Sequence, residues 1–193
     1  MLDNLKKYSV VLASNSPRRK ELMSGLGINY VVKTLPDVDE SYPEELKGEA
    51  IPLFIAREKA DAYRSMIAPD ELLITADTIV WLDDRALGKP SDREEAIRML
   101  QALSGKTHQV ITGVCLTTQE LQRSFTSTTE VRFANLTDEE IEYYVDAYSP
   151  MDKAGSYGVQ EWIGFVGVES ISGSYFNVMG LPIQKLYGEL KKL

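Results

Sequence analysis

The chain has 193 residues, 44% of them apolar, and its 21 Lys and Arg against 29 Asp and Glu leave a net charge of −8. That length suits one domain over residues 1–193, or a core with a smaller lobe, and the acidity excludes a broad electrostatic footprint for duplex nucleic acid. No apolar run spans a bilayer, Met1 to Lys7 lack the apolar stretch of a signal peptide, and the single cysteine, Cys115, permits no intrachain disulfide, so a reducing cytoplasm is expected.

The first element is a strand over residues 8–14. The chain then turns through Ser14-Asn15-Ser16-Pro17 into a helix over 17–26, with Ser16 as N-cap, Pro17 as first helical residue and Gly25 or Gly27 as the stop. Arg18, Arg19 and Lys20 therefore fall in the opening turn, where the helix dipole is already positive and each cation is unfavourable by roughly 0.3–1 kcal/mol. A phosphate resolves this conflict, because it meets free backbone N–H groups, the Ser14 and Ser16 hydroxyls and the cations together. The alternative is that the arginines splay into solvent or pair with surface carboxylates.

Tyr30 to Thr34 reads as a short strand and residues 35–49, rich in Pro, Asp and Glu, as a loop. A helix over 51–67 is opened by Pro52. Leu72 to Leu82 is a long strand ending in a turn at Asp83-Asp84. Ser91-Asp92-Arg93-Glu94 reads as a capping box for a helix that Gly105 ends. Residues 107–118 and 123–135 read as an antiparallel hairpin, with Thr129, Val131 and Phe133 on its inner face. Thr137-Asp138-Glu139-Glu140 caps a helix to about Ala147, residues 163–171 read as a strand, and Pro182 opens a terminal amphipathic helix. This order gives a mixed α/β fold on a central sheet, neither a pure Rossmann fold nor a TIM barrel.

Asp77 lies in the middle of an apolar strand. Burying a carboxylate there is costly unless it is paired, so it faces a cleft, binds a cation, or is satisfied by backbone amides. Lys59 sits on the apolar stripe of the 51–67 helix and either snorkels to water or projects into an anionic site. Lys89 follows Gly88, which permits close approach of a ligand; a plain surface lysine is the alternative. Lys153 lies in a glycine-containing loop of the kind that often holds ligands, and Gln160, which ends that loop, offers donors and an acceptor suited to a base edge. The one histidine, His108, stands at a strand start and reads as structural. Histidine- or cysteine-rich metal sites are excluded, as is a P-loop. A metal needs oxygen ligands; Asp39, Glu40 and Asp77 are the candidates, with Mg²⁺ or Mn²⁺ the natural ion. Asp37 to Glu40 reads equally well as a solvated acidic loop.

These residues also make a recognisable set. Leu12 to Leu22 resembles the opening signature of the Maf family of nucleoside triphosphate pyrophosphatases, and the likeness continues through Ala56 to Ala60, Ala76 to Val80, Gly88-Lys89-Pro90, Leu103 to His108, Thr112-Gly113-Val114, Asp152 to Gly155, Tyr157 to Gln160, Gly173-Ser174-Tyr175 and Gly180-Leu181-Pro182. The motifs run in order along nearly the whole chain. The resemblance implies a central mixed sheet flanked by helices with a smaller lobe and the active-site cleft between them, as in Maf and inosine triphosphatase folds. It implies hydrolysis of a nucleoside triphosphate to the monophosphate and pyrophosphate, a divalent cation, a cytoplasmic and often dimeric enzyme, and a link to septum formation.

By the same resemblance Asp77 is the catalytic base, Ser14, Arg19, Lys59 and Lys89 handle phosphate, and Asp39 or Glu40 is the acidic metal position. Arg18, Thr78 and Gln160 match the discriminating positions of the branch acting on dTTP and UTP. Asn15, where glycine or threonine is usual, and Glu161-Trp162-Ile163, in place of a glycine-rich stretch, are departures. Two other functions compete: a purine-directed pyrophosphatase for inosine or xanthosine triphosphates, and a non-catalytic nucleotide- or nucleic-acid-binding regulator.

Overall fold

The computed structural model describes residues 2–36 and 38–193; Met1 and Asp37, the first residue of the acidic loop named above, lie outside the described residues. Among those described, one seven-stranded sheet has the order β2-β1-β3-β5-β6-β7, with β4 also paired to β3. The strands are β1 (Ser9–Leu12), β2 (Val31–Val32), β3 (Glu71–Leu82), β4 (Arg85–Leu87), β5 (Thr107–Thr117), β6 (Gln122–Phe133) and β7 (Val168–Ser172). β1 is parallel to β2 and β3, and the remaining pairs are antiparallel.

The helices are α1 (Pro17–Ser24), α2 (Ala50–Tyr63), α3 (Arg93–Leu103), α4 (Asp138–Tyr148), α5 (Trp162–Gly167), α6 (Tyr175–Met179) and α7 (Ile183–Leu190). One face of the sheet carries the larger layer. There α1, α3, α4, α5, α6 and α7 bury Leu22, Met23, Leu100, Leu103, Ile141, Ile163, Met179 and Leu186 against Leu72, Ile74, Ala76, Val110 and Val114. The lesser layer is α2, whose Ala56, Ala60 and Tyr63 pack on Val11, Leu73 and Cys115, while Ile51 and Ile55 pack on Ile79 and Ile111. This division follows from the period-2 alternation of β3, whose odd residues face α2 and even residues the larger layer.

Local signals explain most element ends. Ser16 caps α1, its Oγ accepting from Arg19 N at 3.4 Å, with Pro17 at the first position. Asp83 and Asp84 both take positive φ, as the tight β3–β4 hairpin requires. Thr137 and Glu140 form the reciprocal capping box of α4.

Two expectations need correction. α3 is capped by Asp92, which accepts from Glu95 N at 2.7 Å, one residue later than the Ser91 box; Glu95 instead reaches back to Ser91 N and Oγ. The strand expected over 163–171 splits into α5 and β7. Six apolar or glycine residues carry no periodicity that separates strand from buried helix. Gly164 decides for the helical turn: a Cβ there would lie 1.8 Å from the Val159 carbonyl oxygen.

His108 is structural, as expected. It is buried at the start of β5, edge-on to Phe133 at 5.1 Å, with Nε2 and the Tyr157 hydroxyl sharing a 2.7 Å hydrogen bond. Burial pulls its pKa down from 6.5 to about 4. Between those values the unfolded chain binds more protons than the folded one, so this contribution falls as pH falls through the window. We expect His108 to cost about 2 kcal/mol of stability between pH 7 and pH 5. Urea unfolding at both pH values, beside His108→Gln, checks this: the variant should lose that part of the pH dependence, and an identical slope in both proteins would refute it.

Candidate active site

The cleft begins as a gap in hydrogen-bonding along β3. β1 pairs with β3 over Glu71 to Ile74, and β4 pairs with it over Val80 to Leu82. Thr75 to Ile79 therefore have a described strand partner on the β5 side alone. A cavity of about 530 Å³ opens on this stretch. It is lined by Ala76, Asp77 and Thr78, by the β1–α1 turn from Ala13 to Arg19, by Glu40, Lys59 and Lys89, and by Asp152, Lys153 and Gln160. The structure thus brings the sequence-predicted site residues together except Lys20, which does not line the cavity, and Asp39. That carboxylate is exposed and turned on its own loop, accepting from Ser41 N at 2.8 Å and Ser41 Oγ at 2.9 Å.

The arginines of α1 are held by protein groups, and Arg18 takes the carboxylate pairing that the sequence left open as an alternative. Arg19 donates from Nε to Gly180 O at 2.8 Å, from Nη1 to Ala76 O at 2.9 Å and from Nη2 to Thr78 Oγ1 at 3.0 Å. The Ala76 carbonyl is one that the gap in the sheet would leave open, so the guanidinium does there what a strand would do. Thr78 Oγ1 is held in turn by Thr112 Oγ1 at 2.9 Å. Burial pulls the Arg19 pKa down while the Asp77 carboxylate opposes it. Arg18 donates to Met179 O at 3.3 Å and to Asp152 Oδ2 at 3.1 Å. Carbonyls and one carboxylate thus supply the negative charge that this helix start demands. Three of the five Arg19 N–H groups are committed, which makes it first a frame for the cleft wall. Ser14 Oγ accepts from Ser16 N at 3.2 Å, closing the turn that carries both hydroxyls.

Asp77 faces α2. Opposite it on β5 stands Gly113, where a Cβ would lie 2.3 Å from the Pro52 carbonyl oxygen, so glycine is what lets α2 lie this close to the sheet. Thr75 Oγ1 donates to Ala56 O at 2.6 Å and fixes the helix in register. Lys59, one turn further along, then reaches into the cleft rather than snorkelling. Its ammonium is 2.9 Å from Asp77 Oδ1 and 2.9 Å from Glu40 Oε1, and Lys89 Nζ is 3.6 Å from Glu40 Oε2. Burial alone would raise the Glu40 pKa, but Lys59 and Lys89 outweigh it and hold the carboxyl below its ordinary value. Two lysines therefore converge on one anionic group beside Asp77.

The far wall carries a second charged set. Lys153 is buried and sits 2.8 Å from Asp152 Oδ1 and 3.1 Å from Glu161 Oε1. Glu161 Oε2 accepts from the Tyr144 hydroxyl, which accepts from Gly158 N at 3.0 Å. Burial and the Glu161 carboxylate push the Tyr144 phenol well above its ordinary pKa, which keeps it a donor. Asp152 is held below the usual carboxylate range because Lys153 and Arg18 outweigh its burial. Gln160 Oε1 is buried without a hydrogen-bond partner among the described residues. Sequence reasoning missed Glu161 and Tyr144. Tyr144 falls among the buried Ile141 and Val145 of α4 and reads as core; nothing local signals a contact 17 residues away.

The fold falls in the class of the Ham1 proteins. A Ham1 protein from Coxiella burnetii superposes with a TM-score of 0.53 at 15% identity, covering 96% of this chain and 100% of that one, and the Staphylococcus aureus Ham1 protein gives 0.53 at 17% identity, covering 94% and 99%. The family is set by the sequence. A family model described as Maf-like protein matches residues 9–193, and the chain belongs to the Maf family. Among its relatives is a dTTP/UTP pyrophosphatase of Bacteroides fragilis, 77% identical over 193 residues with both chains covered completely. Another, from Phocaeicola vulgatus, is 70% identical, again over the full length of both.

Proposed function

We propose that the protein hydrolyses dTTP and UTP to the nucleoside monophosphate and pyrophosphate, residues 1–193 acting as one catalytic unit in the cytoplasm, with a homodimer as the expected assembly. The observation that carries this reading is the convergence of Lys59 and Lys89 on a single anion, Glu40, beside Asp77. A triphosphate tail offers such anions in series. In this reading Lys59 and Lys89 neutralise charge spread over the phosphate oxygens, the Ser14 and Ser16 hydroxyls fix the chain in register, and Asp77 orients and deprotonates the water that attacks the α-phosphorus.

A divalent cation fits the donor set. Asp77 and Glu40 both already share one cation, the Lys59 ammonium, and both supply oxygen. Among the described residues no group of three or more His, Cys, Asp and Glu side chains stands close enough to hold a metal unaided. Two carboxylates completed by phosphate oxygens is the pattern Mg²⁺ favours. Bound there, the ion supplies charge neutralisation on the reacting phosphates.

At the base end, the orphaned Gln160 acceptor asks for an N–H donor. The ring N–H of uracil or thymine meets that demand, whereas cytosine and adenine present an acceptor at the equivalent ring position; guanine and hypoxanthine also carry a ring N–H, so against them the preference rests on the likeness to the dTTP/UTP pyrophosphatases. Release of pyrophosphate and monophosphate across dTTP, UTP, CTP, GTP and ITP with Mg²⁺ or Mn²⁺ tests the proposal. dTTP and UTP should lead the purines by about tenfold or more in kcat/KM; ITP leading, or nucleotide binding with no turnover, would overturn it. Gln160→Leu, which removes the acceptor, should cost uracil and thymine nucleotides about tenfold and CTP less; equal loss across the panel would show that Gln160 does not select.

A further inference from the structure

We propose that Glu161 is a positioning residue for the base end of the cleft, joining the turn that carries Gln160 to Arg18 through a chain of alternating charge. The inference rests on the reading that a nucleoside triphosphate occupies this cleft with its base toward Gln160.

The chain is continuous. Gly158 N donates to the Tyr144 hydroxyl at 3.0 Å, Tyr144 donates to Glu161 Oε2, and Glu161 Oε1 pairs with Lys153 Nζ at 3.1 Å. Lys153 pairs with Asp152 Oδ1 at 2.8 Å, and Asp152 Oδ2 with Arg18 Nη1 at 3.1 Å. Glu161 closes the same turn through its backbone, its N donating to Gly158 O at 3.0 Å. A Cβ at Gly158 would lie 2.8 Å from the Glu161 carboxyl carbon, so glycine is what admits the carboxylate under the turn. One side chain thus fixes the turn at Gly158 through Tyr144 and ties it to the segment that holds Arg18. Gln160, between those anchor points, has its Oε1 without a partner, so its own contacts at that atom do not hold it. Lys153 is buried and spends its charge on two carboxylates, which suits a link in this chain better than a phosphate ligand.

Glu161→Gln removes the charge and keeps the shape. The variant should raise KM for dTTP by about tenfold, keep kcat within about threefold, and lower the dTTP:GTP selectivity by a similar factor. Inorganic tripolyphosphate, which has the phosphate tail and no base, serves as the control: its inhibition constant should not change. Tyr144→Phe removes only the hydroxyl and should move KM and selectivity the same way by about threefold; it carries the test if Glu161→Gln does not fold. Unchanged KM and selectivity would overturn the proposal. So would a parallel rise in the dTTP KM and the tripolyphosphate constant, because that pattern marks general damage to the cleft. If the wild-type protein turns over GTP as well as dTTP, the pyrimidine reading fails, and Glu161 is still decided by the split between KM and the tripolyphosphate constant.

Discussion

Asp77→Asn is expected to lower kcat for dTTP by on the order of 10² or more, the scale of a lost general base, in a protein that remains folded. The carboxylate is buried on β3 with one close cationic partner, Lys59, at 2.9 Å. Asparagine keeps the volume and an acceptor oxygen for that ammonium, so the packing of α2 on the sheet has no reason to change. What disappears is the charge that, in the proposed reaction, deprotonates water, together with the second carboxylate oxygen beside Glu40. The expected signature is a fall in kcat with little change in KM, measured as pyrophosphate release, alongside an unshifted thermal melt. Near-normal turnover in the folded variant would remove Asp77 from this role.

Arg19→Met is expected to reduce stability by about 3 kcal/mol or more, the sum expected when several charge-assisted bonds to buried acceptors are lost together, and to depress activity as a consequence. The guanidinium bonds Gly180 O, Ala76 O and Thr78 Oγ1 at once, from three different nitrogens. Methionine fills the space but removes all three bonds: the Ala76 carbonyl loses its guanidinium donor, and Gly180 O and Thr78 Oγ1 keep only the weaker contacts with Thr78 Oγ1 at 3.4 Å and Thr112 Oγ1 at 2.9 Å. Arg19→Lys is the informative companion, because an ammonium on a flexible stem reproduces a planar three-way contact poorly; it should recover only part of the loss. Denaturant unfolding of both variants measures this. If Arg19→Met were as stable as wild type, the guanidinium would not be the frame of the cleft wall.

These two residues also show how much of the site was legible in the sequence. Asp77 announced itself because a carboxylate in an apolar strand conflicts with burial, and the structure resolves that conflict with Lys59. Arg18 and Arg19 announced themselves through the helix dipole, but the contacts that hold them did not. The carbonyls of Met179 and Gly180 come from the chain 161 residues away, and no local pattern carries that contact. The hairpins and caps were readable because turn and cap chemistry is local: Asp83-Asp84, Thr137 with Glu140, Ser16 with Pro17. The α5 turn was not, since its geometry depends on the close approach of Gly164 to Val159, which composition does not encode. Glu161 was visible only as a departure from a glycine-rich stretch; its link to Lys153 and Tyr144 needed the fold.

In the proposed reaction Asp77 drives water onto the α-phosphorus while Lys59 and Lys89 hold the tail. Turnover of dTTP in ¹⁸O-labelled water, with mass analysis of both products, tests this most directly. The label should enter dTMP and be absent from pyrophosphate. Label in pyrophosphate, or release of dTDP with orthophosphate, would place the attack on another phosphorus and contradict the arrangement.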